Sequence, residues 1–255
     1  MTKPSLAALT AGGPHAWILL HALTAHFGRF PILVEDGEAS AVFWRRRLRL
    51  LGPVTVASQI AAIMLAKITK PLSRARQAEV LALSPFPTHP GPDLDLRPIT
   101  SVNAPESRAL LQDLAPKAVF VVGTRKISAA TLQAIPAPFV NYHSGLNPAY
   151  RGMNGGYFAL AAGQPAHFAS TLHLVDTGID TGAILATQHV ATTRQDNLHT
   201  YVPLMAAQSI DMTIRTMERV LAGDLTTMTS DLPSKQYYHP GVFEYVRNGF
   251  LRSVW

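Results

Sequence analysis

Five apolar residues in an unbroken run, Ala118-Val-Phe-Val-Val122, constrain the fold more than any other stretch of this chain. A strand with one wet face alternates apolar and polar residues, so a run without alternation belongs to a strand covered on both faces. Leu6-Ala-Ala-Leu9 is a second such run, closed by the glycine turn Thr10-Ala-Gly-Gly13. His15 to Phe27 follows with Ile18, Leu19, Leu23 and Phe27 at helical spacing, and Phe30–Val34 returns as a strand ended by Glu35-Asp36-Gly37. Strand, helix and strand in about 30 residues form a βαβ unit and imply a parallel sheet.

The remaining pattern fits the same α/β class. Helices are predicted over 39–51, 54–70, 74–83, 105–114 and 155–162, with one long helix over 198–221. Asn103 or Ser101 is available to cap the helix at 105. Strands are predicted at 98–102, 139–142, 169–174 and 183–190, and Ser84 to Pro92 reads as a proline-rich loop. The first 222 residues form one expected domain. Residues 223–255 form an extension whose aromatics, Tyr237, Tyr238, Phe243, Tyr245, Phe250 and Trp255, are expected to pack on it.

Composition enters by exclusion. The absence of cysteine rules out a disulfide framework, a thiolate nucleophile and cysteine-ligated metal. The start of the chain carries only Lys3 before its apolar stretch breaks at Gly12-Gly13-Pro14, which reads as no secretory signal and a cytoplasmic location. The glycine turn is not G-x-G-x-x-G, and no P-loop, H-E-x-x-H or G-x-S-x-G is present. The formal charge of +6 is local: between Ala39 and Ala78 lie eight of the 22 basic residues and none of the 16 acidic ones. Phe43 to Leu51 within it reads as a solvated helix edge, a site for an anionic substrate, or a peripheral membrane contact. A helical wheel sets Trp44, Leu48 and Leu51 on one side and Arg45, Arg46 and Arg49 largely away from it. No nucleic-acid-binding motif accompanies the segment.

Polar residues and glycines crowd beyond two predicted parallel strands, where open α/β sheets place ligands. One stretch runs from Asn141 and His143 through Asn147, Tyr150, Arg151 and Asn154 to Gly156; the other from His173 through Asp176, Gly178 and Asp180 to Gly182. Each candidate has a bland reading. His143 alone could be structural, His173 could be core or lining, and Asp176 could merely form a turn. Arg151 could hold its own loop, and Gly12-Gly13 could be a turn or receive a phosphate at a helix start. Two histidines with Asp176 and Asp180 lack metal-ligand spacing, so no metal is expected.

Taken together, Asn141-x-His143, Leu146-x-Pro148-x-Tyr150-Arg151-Gly152 and Asp176-x-Gly178-Ile-Asp180-Thr181-Gly182 resemble the catalytic domain of the folate-dependent formyltransferases. Methionyl-tRNA, phosphoribosylglycinamide and nucleotide-sugar N-formyltransferases share that domain. The resemblance is close over 118–190. It implies a Rossmann-like, mostly parallel twisted sheet with helices on both faces and a short C-terminal extension. It implies 10-formyltetrahydrofolate as formyl donor and Asn141, His143 and Asp180 as the catalytic groups. Their chemistry agrees: an amide and an imidazole can stabilise a developing oxyanion, and a carboxylate can take the amine's proton. The resemblance also places the pteridine between Val121-Val122-Gly123-Thr124-Arg125 and Leu174-Val175-Asp176 with Gly178, where glycines let backbone approach a flat ring. Gly12, Gly13, Arg151 and Asn154 are the substrate-binding candidates. Beyond Val190 one long helix and a tail offer less than the second domain of the tRNA enzyme, so the expected acceptor is a small amine, an amino sugar on a nucleotide or lipid carrier. A hydrolase releasing formate and a non-catalytic folate-binding or membrane-associated scaffold are the rival readings.

Overall fold

The two unbroken apolar runs lie side by side. In the computed structural model, which describes residues 5–255, β1 (Leu6–Thr10) pairs in parallel with β4 (Ala118–Val122), Leu6 opposite Ala118 and Thr10 opposite Val122. Lys3 and its neighbours, the basis for reading no leader, fall outside the described residues. Both runs are buried along their whole length. Their side chains divide by alternation. Leu6, Ala8, Phe120 and Val122 join a core with Leu19, Leu20 and Leu23. Leu9, Val119 and Val121 join another with Leu111.

In chain order β1 leads into α1 (Pro14–Phe27), β2 (Pro31–Glu35), α2 (Ser40–Leu51), α3 (Pro53–Thr69) and α4 (Arg74–Ala82). Then come β3 (Asp95–Ile99), α5 (Pro105–Leu114), β4, the single turn α6 (Ala129–Leu132), β5 (Phe139–His143), β6 (Arg151–Gly152) and α7 (Gly155–Ala161). The chain closes with β7 (Ala169–Leu174), β8 (Ile184–His189), α8 (Tyr201–Gln208), α9 (Ile210–Leu221), β9 (Gln236–Tyr237) and α10 (Val242–Arg252). The main sheet runs β3-β2-β1-β4-β5-β7-β8. Its first five strands are parallel. Proline at the first position starts α1, α3 and α5, where a missing N–H costs nothing.

Four expectations need correction. The strand at Ala169 is antiparallel to β5, and β8 is antiparallel to it in turn. An apolar run reads the same in either direction, so sequence pattern could not show this. The strand expected at 98–102 lies at Asp95–Ile99, an exposed edge where Pro98 is tolerated because no further strand needs its N–H. The residue preceding α5 is Ala104, with no side-chain cap, because Asn103 binds the backbone of Lys126 and Ser128 instead. The long helix over 198–221 is two helices, broken at Ser209. That hydroxyl donates to the Met205 carbonyl and lies 2.6 Å from the Ser170 hydroxyl on β7, a side-chain alternative that competes with helix continuation.

After Ala222 the chain is partly regular. β9 pairs with β6, and α10 packs against α3. Tyr237 stacks on Phe158 and Tyr150, and Tyr245 is buried. Phe243 and Phe250 are 85% and 78% exposed, so these two aromatics do not pack as expected.

Candidate active site

β5 and β7 carry the site between them because their register sets Asn141 opposite His173. His173 Nδ1 donates to the Leu174 carbonyl at 2.8 Å, leaving neutral Nε2 to accept from Asn141 Nδ2 at 3.1 Å. Asn141 Nδ2 also donates to Asp180 Oδ1 at 3.3 Å. The other Asp180 oxygen accepts the Gly152 N–H at 2.9 Å and faces His143 Nδ1 at 3.5 Å. His143 is fixed by donation from Nε2 to the Tyr150 carbonyl at 2.8 Å. A proton on His173 Nε2 would instead point at Asp180 Oδ1, 3.4 Å away. Thus Asn141, His143 and Asp180 do come together, and His173 joins them.

Asp180 is half-buried, and burial alone would raise its pKa. Its pairing with the His143 and His173 imidazoles and with the Gly152 N–H outweighs that and holds its carboxyl well below the usual range. Asp180 also has φ 51°, a left-handed conformation that costs free energy outside glycine and recurs at functional positions.

The cluster opens into a cavity of about 670 Å³. Of the residues expected at the donor site, Val121, Gly123, Thr124, Arg125, Val175, Asp176 and Gly178 line it; Val122 and Leu174 do not. Val122 faces the core on the other side of the sheet. The backbone N–H of Arg125 is already taken by Glu35 Oε1 at 2.7 Å, and its side chain pairs with the same carboxylate. Gly178 is required for a different reason from close ring approach: a Cβ there would sit 1.8 Å from Thr181 Oγ1, inside the turn that Asp176 closes by accepting the Gly178 N–H and the Thr181 hydroxyl.

The substrate candidates fare differently. Gly12 and Gly13 have φ of 83° and 103° and form the turn into α1; neither lines the cavity. Arg151 binds the Ile179 carbonyl and the Ser234 hydroxyl, holding its own loops. Asn154 donates to His239 Nδ1 at 3.0 Å, away from the cavity. His239 accepts as a neutral ring, its pKa lowered to about 4 by burial and by the charge of Arg47.

The cavity wall includes Phe43, Arg46 and Arg47 of α2, within the segment that the sequence offered as a solvated edge, an anionic-substrate site or a membrane contact, together with Tyr237 and Tyr238, which sequence reasoning took only for packing aromatics. The wheel of this helix is also corrected. Arg47 is the side chain it buries, while Leu48 is exposed. Burial lowers the Arg47 pKa; Tyr238 opposes this and Arg46 adds to it. His15, another wall residue, is lowered to about 4 by burial and faces the cavity uncharged. The signal for His173 was its place on the strand leading to Asp180. The signal for Glu35 was a carboxylate at the carboxyl end of a parallel strand.

Fold and cavity together define a doubly wound α/β protein with an open cleft at its strand ends. The formyl transferase family matches residues 61–216, and the chain belongs to that family. Methionyl-tRNA formyltransferase of Corynebacterium diphtheriae is 34% identical over 120 residues, 47% of this chain and 38% of that one. The enzyme of the same name from Levilactobacillus brevis is 26% identical over 170 residues, 66% of this chain and 54% of that one. The matches thus reach about half the length of these relatives or less. Among solved structures, a sugar N-formyltransferase from Shewanella superposes with a TM-score of 0.59 at 14% identity, over 96% of this chain and 79% of that one. HypX from Aquifex aeolicus, solved with tetrahydrofolic acid, superposes with a TM-score of 0.52 at 13% identity, over 93% of this chain and 29% of that one.

Proposed function

We propose that this chain transfers a formyl group from 10-formyltetrahydrofolate to the primary amine of a small acceptor, an amino sugar on a nucleotide or lipid carrier. The observation that carries this reading is an ionised Asp180 held between two imidazoles and the Asn141 amide at the floor of an open cavity. The neutral amine attacks the formyl carbon, and the carbonyl oxygen gains negative charge. Asn141 donates to that oxygen by giving up its longest contact, the one to Asp180. His143, protonated or hydrogen-bonding, stabilises the same charge from nearby. The amine nitrogen becomes cationic and loses its proton to Asp180, directly or through water. Collapse then breaks the bond from carbon to N10 of the folate, and that nitrogen takes up a proton. With water as nucleophile the same groups would release formate, so acceptor-dependent product separates transfer from hydrolysis.

The donor lies along Val121, Gly123 and Thr124 on one side and Val175 to Gly178 on the other. Titration calorimetry with tetrahydrofolate is expected to show one site, abolished in Gly123→Val. Glycine 123 has φ 67°, and an added Cβ would stand 3.2 Å from His15 Nε2. Undiminished binding in that variant would remove the donor from this place.

Leu48 and Leu50, exposed beside Arg45 and Arg49, support a second role for α2 as a peripheral contact with anionic membrane. Each basic residue near such a surface contributes about 1 kcal/mol. Wild type should sediment with anionic vesicles and not neutral ones, and Arg45→Gln with Arg49→Gln should weaken this; indifference to vesicle charge contradicts the contact. Among the described residues no helix is long and apolar enough to cross a membrane.

A further inference from the structure

Arg47 lies on the cavity wall and is only 5% exposed. Among the described residues no carboxylate comes within 4.0 Å of its guanidinium. Its neighbour Arg46 is neutralised by Glu38 at 2.7 Å, so the positive charge of Arg47 stands alone. Its hydrogen-bond and ring partners are neutral groups. The rings of Phe43 and Tyr238 flank it, each centroid 4.8 Å from Cζ. Nη1 donates to Gln59 Oε1 at 3.2 Å, and Nη2 points at the Met153 sulfur. Gln59 cannot turn away, because its own amide donates to the His239 carbonyl at 2.8 Å. His239, whose pKa burial and the charge of Arg47 lower to about 4, is neutral through the physiological range. A buried cation without a counter-ion costs folding free energy. A cation held rigid between two rings and aimed at a cavity is a preorganised fork for an oxyanion.

We propose that Arg47 is the receptor for an anionic group, a phosphate or a carboxylate, carried by the amine acceptor. This rests on the transfer reaction above and names a property of its second substrate. The acceptor is favoured over the donor by position. Phe43, Gln59, Met153 and Tyr238 belong to neither segment assigned to the folate. Met153 adjoins Gly152, whose N–H holds Asp180. An anion on Arg47 therefore anchors the acceptor on the side of the carboxylate that takes the amine's proton. The flat walls also fit a group that carries a ring beside its charge.

Pyrophosphate is the probe, measured by calorimetry in the intact chain, with tetrahydrofolate binding as control for folding and for the donor site. Wild type should bind pyrophosphate, and R47Q should bind it about 10- to 100-fold more weakly, the worth of a charge-assisted pair of hydrogen bonds. R47Q should bind tetrahydrofolate as wild type does. M153E gives an independent test should R47Q fold poorly: a carboxylate beside the guanidinium should raise Tm and abolish pyrophosphate binding. No pyrophosphate binding to wild type, or equal binding in both variants, overturns the proposal. So does a parallel loss of tetrahydrofolate affinity in R47Q, which would give the anion to the donor. Pyrophosphate binding needs no turnover. Arg47-dependent binding in a protein that formylates no amine therefore counts against the reaction and for the receptor.

Discussion

Asp180→Asn should lower turnover by about 100-fold or more while tetrahydrofolate still binds. The substitution is chosen for its small structural effect. Asparagine tolerates the left-handed backbone at φ 51°. Its amide oxygen can still accept the Gly152 N–H that Asp180 accepts at 2.9 Å. What is lost is the charge and the capacity to take a proton from the attacking amine. His143→Ala should fall by a similar factor. The imidazole touches only Asp180 and the Tyr150 carbonyl by polar contact, so its loss leaves the donor segments in place. Steady-state rates at saturating donor, beside calorimetric donor affinity, separate the two effects. Near-normal turnover in Asp180→Asn would remove the carboxylate from the mechanism.

The second large effect is on stability and lies away from the cavity. Arg76 reaches from α4 to Asp196 with two parallel bonds, Nε to Oδ1 at 2.8 Å and Nη2 to Oδ2 at 3.0 Å. The Asp196 side chain is fully buried. Arg76→Ala would leave that charge without its partner, at a cost of about 3 kcal/mol. The estimate is at the low end because the Thr193 N–H and the Thr193 and Thr200 hydroxyls still serve Asp196. Burial opposes ionisation of Asp196, but Arg76 and Thr193 prevail and lower its folded pKa. Its contribution is therefore complete above the unfolded value of about 3.9 and is lost as pH falls through the lower folded value. Urea unfolding should show wild type and Arg76→Ala well separated at neutral pH and converging in acid. A gap that does not narrow would contradict the ionic assignment.

The central sheet was legible because a strand buried on both faces must be apolar throughout, and β1 and β4 are. Strand direction was not, since the side chains of β7 would serve a parallel neighbour equally well. The break at Ser209 depended on Ser170, 39 residues away in sequence, and no local pattern carries such a partner. In the site, Asn141, His143 and Asp180 were singled out through the resemblance to the formyltransferases, and the structure brings them together. His173 was not so singled out, because its role follows from antiparallel register with Asn141. The wheel of α2 set Arg45, Arg46 and Arg49 outward, as they are, but it put Leu48 inward and did not place Arg47, because a cation can be buried where two aromatic rings and a cavity receive it.

One measurement bears most directly on the proposed reaction. The protein is incubated with 10-formyltetrahydrofolate and a panel of amines that includes amino sugars with and without a phosphate-bearing carrier, and every product is identified by mass. The expected result is one amine gaining the mass of a formyl group, with tetrahydrofolate formed in equal amount and only when that amine is present. Tetrahydrofolate and formate released at the same rate with no amine added, and no amine changed in mass, would contradict it.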